Sequence, residues 1–266
     1  MIKLTRLIGL IGAVAALGAC GGGNDAAAPP PPVVPTMVGL YSGMANSVSG
    51  VTRSFEVLLL ANGRAYGVLI PASGTGSVFF GGGNYTASGF NSVEGGNLRL
   101  NTANAPLSAA ALTLAGPPRG TLTGTLTGSA LAGEYQADLS ALSYDATFDR
   151  APAPLADVAG SYTGNSAGTG NGSGLVPIVV QASGNFTGTS RNGTCPHSGT
   201  LTPSSAGNYY TMTLTFGAGC SNPSVPLNGI ALWKPASATA PAVLRLFVSA
   251  SNSTTTFAEG YFYVGS

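Results

Sequence analysis

Few side chains in this 266-residue sequence could do chemistry. The single histidine, His197, stands two residues from Cys195. Imidazole and thiolate both bind metals, but a stable zinc site takes about four ligands. No second histidine exists, so His197 is expected to be a loop residue. Gly164-Asn165-Ser166-Ala167-Gly168 spells the G-x-S-x-G of a nucleophile elbow. That elbow needs a strand before the serine, a helix after it, and then an acid followed by a histidine. Here a glycine-rich run follows Ser166, and the only later acid, Glu259, lies beyond His197. Ser166 is therefore expected in a loop after a strand. The run Gly168 to Gly174 lacks the Lys-Ser/Thr pair that would complete a phosphate cradle. Asp145 and Asp149 lie four apart in an alternating segment, which would put them on one solvated strand face. Tyr209, Tyr210, Trp233, Phe247, Tyr261, Phe262 and Tyr263 are the remaining candidates for binding. Such rings serve interfaces or fill barrel cores, and core filling is expected. No metal, cofactor or catalytic centre is expected.

The composition narrows the field further. Charged residues are 7% of the chain, against about 25% in an ordinary soluble domain. Nucleic-acid binding is excluded on that ground, because it needs clustered Lys and Arg to neutralise phosphates. Hydrophobic residues at 44% argue against a charged disordered tail. The 40 glycines have no G-x-y period, so collagen is out. A chain rich in Gly, Ser and Thr and poor in Lys and Glu lacks the usual fillers of exposed helix faces. It suits strands and tight turns.

The chemistry that the sequence does announce lies at its start. Lys3 and Arg6 make a basic region, and Leu7 to Ala16 is an apolar run. A run of ten is too short to span a bilayer, which takes about 20 residues. Leu17-Gly18-Ala19-Cys20 follows. A basic start, a short apolar core and small residues before a cut form a secretory signal peptide. With a cysteine directly after the small residues, the segment resembles the lipobox of bacterial lipoproteins. That resemblance covers about 20 residues. It implies that Cys20 is lipidated on its sulfur, that residues 1–19 are removed, and that the new amine is acylated. Several acyl chains on one residue would hold the protein on a membrane without a transmembrane helix. In lipoproteins of this kind an Asp after the cysteine favours retention at the inner membrane. Gly21 stands there instead, so the outer membrane is expected. Losing Lys3 and Arg6 leaves eight basic against nine acidic residues, so no long-range steering of either sign is expected.

Residues 20–36 are expected to be the lipid anchor and a disordered tether, because Gly21–Gly23 is free and Pro29–Pro32 favours an extended chain. Beyond it the sequence partly repeats itself. Gly39-Leu40-Tyr41-Ser42-Gly43 recurs as Gly160-Ser161-Tyr162-Thr163-Gly164, an offset of 121. At the same offset Ala61, Gly63 and Gly67 match Ala182, Gly184 and Gly188. Further on, Ala111–Leu114 resembles Thr213–Phe216 and Leu126–Leu131 resembles Leu227–Leu232, at offsets of 102 and 101. Two copies of one domain are expected, over 37–150 and 155–266, the first longer in its middle by about 20 residues. The Ala-Pro-Ala-Pro stretch at 151–154 is the linker.

Within each copy the period is two. Tyr210, Met212, Leu214 and Phe216 share one face, opposite Thr211, Thr213 and Thr215. Leu122, Gly124, Leu126 and Gly128 share a face opposite Thr121, Thr123, Thr125 and Thr127. The expected fold is all-β: two tandem antiparallel meanders of about eight strands, each a small barrel or sandwich. Once Cys20 is set aside, Cys195 and Cys220 form an even pair in an exported chain, where a disulfide can form. A two-residue Gly207-Asn208 loop would pair Leu201 with Leu214, Thr200 with Thr215, and Cys195 with Cys220. A four-residue loop would set Cys195 against Ala218.

The plan of lipid anchor, tether and compact β domains is similar to that of bacterial surface lipoproteins such as the transferrin-binding and complement-factor-binding ones. That similarity is architectural. It implies a membrane-attached protein with a non-catalytic binding or structural role. The alternative is a small-ligand carrier with a cavity inside one barrel. Large inward side chains would fill that cavity, and interior glycines without large partners would leave it open.

Overall fold

The computed structural model describes residues 37–266, apart from 71–76, 87, 93–95, 99–107, 131–132, 169–174, 191–193, 221–222, 252–255 and 266. The expected signal peptide, Cys20 and the tether lie outside the described residues. Residues 34–266 form one compact unit.

Alternating sequence becomes strand after strand. The first set is β1 (Gly39–Ser47), β2 (Thr52–Leu59), β3 (Arg64–Ile70), β4 (Ser77–Thr86), β5 (Gly89–Ser92), β6 (Gly96–Leu98), β7 (Ser108–Ala115), β8 (Leu122–Ala130) and β9 (Gly133–Tyr144). They form one antiparallel sheet in the order β5-β4-β3-β2-β1-β9-β8-β7-β6, and β5 also pairs with β7, which closes the ring. The short strands β5 and β6 lie end to end along β7, so one stave is broken. The second set is β10 (Gly160–Gly168), β11 (Leu175–Val180), β12 (Asn185–Ser190), β13 (Cys195–Pro203), β14 (Tyr210–Phe216), β15 (Pro226–Lys234), β16 (Val243–Ser251) and β17 (Thr256–Gly265). These close as an eight-stranded meander barrel. Closure pairs strands that would otherwise be open edges.

The residues between the rings differ from expectation. Asp145 does not continue a strand. Its carboxylate accepts from the Thr147 backbone N–H at 2.9 Å and from the Thr147 hydroxyl at 2.7 Å, and so caps a 3-10 turn over Ala146–Asp149. A short polar side chain that bonds its own backbone two residues on competes with strand pairing. The helical turn α1 (Leu155–Val158) follows the prolines and leads into β10.

The two rings match at offset 121 in backbone detail. Gly39 pairs with Leu59 as Gly160 pairs with Val180. Val57 pairs with Gly67 as Ile178 pairs with Gly188. Tyr41 pairs with Tyr144 as Tyr162 pairs with Gly265. The turns agree too. Gly63 donates to Leu60 at 3.0 Å, and Gly184 donates to Gln181 at 2.8 Å. Both glycines need left-handed backbone, with φ of 77° and 86°.

The later letter matches fall out of step. Ala111–Leu114 lies on the sixth stave of its ring, whereas Thr213–Phe216 lies on the fifth of the other. The Leu126 and Leu227 segments are displaced in the same way. The two rings therefore span equal lengths of chain, and the expected excess of 20 residues in the first is absent. Leu/Thr alternation recurs on adjacent strands, so strands in different places look alike by letter.

Inside the second barrel Phe186, Tyr210, Met212, Leu214 and Phe216 are buried, and in the first Tyr41, Phe55, Val57, Phe90 and Leu112 are buried. A third apolar cluster belongs to neither interior. Leu40, Leu58, Tyr66 and Val68 from the first ring meet Tyr209, Ile230, Leu232 and Phe247 from the second, with Phe148 between. This explains why Val57-Leu58-Leu59-Leu60 breaks the alternation and is buried throughout. A strand covered on both faces reads as a continuous apolar run.

Candidate functional site

The candidate residues end in distinct places. Ser166 pairs with Tyr261 within β10, so it is in a strand and not in the expected loop, and the next described element is the strand β11. Gly168 ends β10, and residues 169–174 lie outside the described residues. Asp149 accepts from the Tyr144 hydroxyl at 2.9 Å and pairs with Arg119 at 2.8 Å. Burial, and then the hydrogen bond to Asp149, push the Tyr144 phenol up to about 12. The two aspartates are thus used in a cap and an ion pair, not as paired carboxylates on one face.

The aromatic residues with described side chains are structural. Tyr210 donates to the Ala153 carbonyl at 2.7 Å, fastening the linker to β14. The Trp233 indole donates to the Tyr162 hydroxyl at 3.1 Å, and that hydroxyl donates to the Val158 carbonyl at 2.6 Å. Tyr209 stacks on Phe148 with planes 5° apart, and Phe247 meets Tyr66. Tyr209 and Phe247 therefore join the two rings, a role that differs from the expected filling of a barrel interior. The side chains of Tyr261, Phe262 and Tyr263 lie outside the described residues.

The cysteine pair is bonded. Cys195 opens β13 and Cys220 follows β14, with Cα atoms 4.8 Å apart. The strand register between them differs from expectation. Leu201 pairs with Met212, Thr200 with Thr213, and Thr202 with Thr211. This is the register of the longer loop, because Ser204 still donates to Tyr209 and the turn spans the residues between. Face parity is unchanged, so apolar residues still point inward. In that register Cys220 lies past the partner of Cys195. The bond forms because Gly217 donates to Pro196 at 2.7 Å and the chain curls back after it. Gly219, with φ of 88°, makes that curl.

His197 lies on β13 directly beside Gly188 of β12. A Cβ on Gly188 would come within 2.5 Å of the imidazole Nε2, so glycine there leaves room for the ring. His197 is 4% exposed and packs edge-on against Phe216. Burial lowers its pKa to about 4, against a smaller opposing effect from the Cys195 backbone. It is a neutral strand residue, not the expected loop histidine. The Cys195 sulfur is held in the disulfide and cannot serve as a thiolate ligand. Among the described residues no three His, Cys, Asp or Glu converge to hold a metal ion.

Two arrangements emerge that local sequence does not announce. One is a charged clasp between the rings. Glu56 of β2 accepts from Lys234 of β15 at 2.9 Å and from Arg245 of β16. The Glu56 and Arg245 side chains are 12% and 7% exposed. Burial works to raise the Glu56 pKa, but Arg245 and Lys234 outweigh it and hold the carboxylate below its usual value. The other is a groove of about 660 Å³ on the outer wall of the second barrel, across β11 to β14. Its rim includes Thr187, Ser198, Thr215 and Ser224, and its apolar surface includes Pro177, Val179 and Pro196. The cysteines beside it were a readable signal that this end is fastened. The groove itself depends on how the chain returns after Phe216.

No family model matches the chain, and no curated protein does. Among solved structures, a crystal structure from Bacteroides fragilis, whose name assigns it provisionally to the outer membrane, aligns with 86% of this chain and 98% of its own at 11% identity. Its TM-score of 0.30 is too low to carry an argument. Among the described residues no helix is long and apolar enough to cross a membrane.

Proposed function

We propose that this protein is a lipid-anchored lipoprotein of the outer membrane with a non-catalytic binding or structural role, built from a duplicated β-barrel module. The observation that carries the reading is the order of Lys3 and Arg6, the apolar run Leu7 to Ala16, and Leu17-Gly18-Ala19-Cys20. The lipid on Cys20 is the contact with the membrane, and residues 21–36 are the stalk that carries the barrels. The equal registers at offset 121 support duplication. The non-catalytic role is supported by how the candidate groups are used: one thiol pair is oxidised, the histidine is buried and neutral, Asp145 caps a turn, and Asp149 pairs with Arg119. Packing weighs against the ligand-carrier alternative, because inward Phe186, Tyr210, Met212 and Phe216 occupy the second barrel.

Cys20→Ser tests the anchor. The variant is expected to take up no labelled palmitate and to leave the membrane fraction, while the parent protein takes up the label and stays in that fraction. Label retained on the variant overturns the reading.

A further inference from the structure

The outer wall of a small barrel is ordinarily convex, yet here it holds a groove of about 660 Å³. That volume is in the range of small-molecule sites, roughly 300–1,000 Å³. The chain makes one wall of it by a detour. After Phe216 the backbone turns at Gly217, is fastened at Cys220, and returns so that Pro223 bridges to Phe216. Ser224 then donates its N–H back to the Phe216 carbonyl at 2.7 Å. Ser224 adopts φ of 63°, a left-handed backbone that costs a non-glycine residue free energy. The opposite wall is β11, where Pro177 and half-exposed Val179 face outward.

The lining has a definite chemistry. Pro177, Val179 and Pro196 are apolar, and Thr187, Thr189, Ser198, Thr215 and Ser224 carry hydroxyls. Among the described residues no Lys, Arg, Asp or Glu side chain lines the groove. A charged ligand would lose hydration there without a counter-charge. A pure hydrocarbon would cover the hydroxyls and leave them without partners. A sugar offers what the lining asks for: a C–H face for the prolines and valine, and hydroxyls around its edge. We infer that this groove is a binding site for a neutral oligosaccharide. The assignment goes beyond the proposed anchor and does not depend on it.

The test is saturation-transfer NMR on the full chain in detergent micelles, with maltotetraose, cellotetraose and chitotetraose as probes. At least one is expected to receive saturation. Ser198 and Thr187 are exposed, on neighbouring strands, and line the groove. Ser198→Trp and Thr187→Trp each fill it from outside and are expected to weaken binding by about tenfold or more. Thr202→Trp, on the same outer face of β13 but away from the groove, is the control and is expected to keep it. Circular dichroism identifies any variant that fails to fold, and the other groove variant then decides. No transfer to any of the three sugars overturns the assignment, as does equal transfer in parent and folded groove variants. Transfer only to a charged sugar such as sialyllactose, or only to octanol, also overturns it. Cys20→Ser is expected to bind as the parent does, so failure of the anchor and failure of the groove read separately.

Discussion

The two rings begin alike and are stabilised differently. In both, the first strand carries a buried tyrosine at the same register position, Tyr41 and Tyr162. In the first ring the Arg119 backbone N–H donates to the Tyr41 hydroxyl at 3.2 Å, and Arg119 is itself held by Asp149 and lies over the Tyr144 ring. In the second ring the Tyr162 hydroxyl joins Trp233 and the Val158 carbonyl, with no charge involved. The first ring is closed partly through a broken stave. The second has whole staves, a disulfide and a buried histidine. The shared part is backbone register and turn geometry. Each ring satisfies the remaining polar groups with whatever its own loops supply.

Breaking the clasp between the rings has the largest expected effect. Glu56→Gln leaves Lys234 and Arg245 facing each other without a carboxylate, and loss of one partner of a buried pair costs about 3–5 kcal/mol. Lys234 is 45% exposed, so the lower figure applies. Chemical denaturation should show the loss, and both rings should respond because both contribute to the clasp. Unchanged stability would mean that the apolar cluster alone joins them.

The disulfide separates the rings instead of coupling them. It closes a separation of 25 residues, for which chain entropy gives roughly 3–4 kcal/mol as an upper figure. Reduction should therefore speed amide exchange in the second barrel by more than in the first. Equal acceleration in both would show that they unfold as one unit.

The second barrel should also be the acid-sensitive one in the range where histidine titrates. His197 has a folded pKa of about 4, against about 6.5 for an ordinary histidine. Between those values the unfolded chain binds the extra proton, so stability falls as pH drops from 6.5 towards 4. The full loss is about 3 kcal/mol. His197→Gln should flatten that slope, measured by urea midpoints across the window. A slope that persists would place the proton uptake elsewhere.

The smallest expected effect sharpens the comparison at its closest point. Tyr162→Phe removes a hydroxyl that donates to Val158 and accepts from Trp233, for a loss of about 1–2 kcal/mol. Tyr41→Phe removes one acceptor for a backbone N–H, at about 1 kcal/mol. Thermal melts of the two variants give the order directly.

What could be read from the sequence was periodic or local. Alternation marked the strands, and the matching Gly-x-Tyr-x-Gly segments marked the two starts. Cysteine parity, with Cys20 set aside, pointed to the Cys195–Cys220 bond, although the hairpin register was two residues away from the one assumed. The clasp was illegible because Glu56 lies 178 and 189 residues from Lys234 and Arg245, and each looks like an ordinary surface charge. The turn at Asp145 was misread because Asp caps leave alternation superficially intact. Val57–Leu60 was the readable sign of contact between the rings, since four consecutive buried apolar residues need a partner on both sides.

Ring closure also sets a timetable. Most neighbours in each meander are consecutive strands, and these can pair as soon as they are made. The final seam joins Tyr41 to Tyr144 and Tyr162 to Gly265, partners about a hundred residues apart along the chain. A barrel emerging N-terminus first stays open-edged until its last strand arrives, which for the second is β17. Cys195 and Cys220 sit on the middle staves, so their bond can form while the seam is still open, and it then holds half of the barrel in register through the wait.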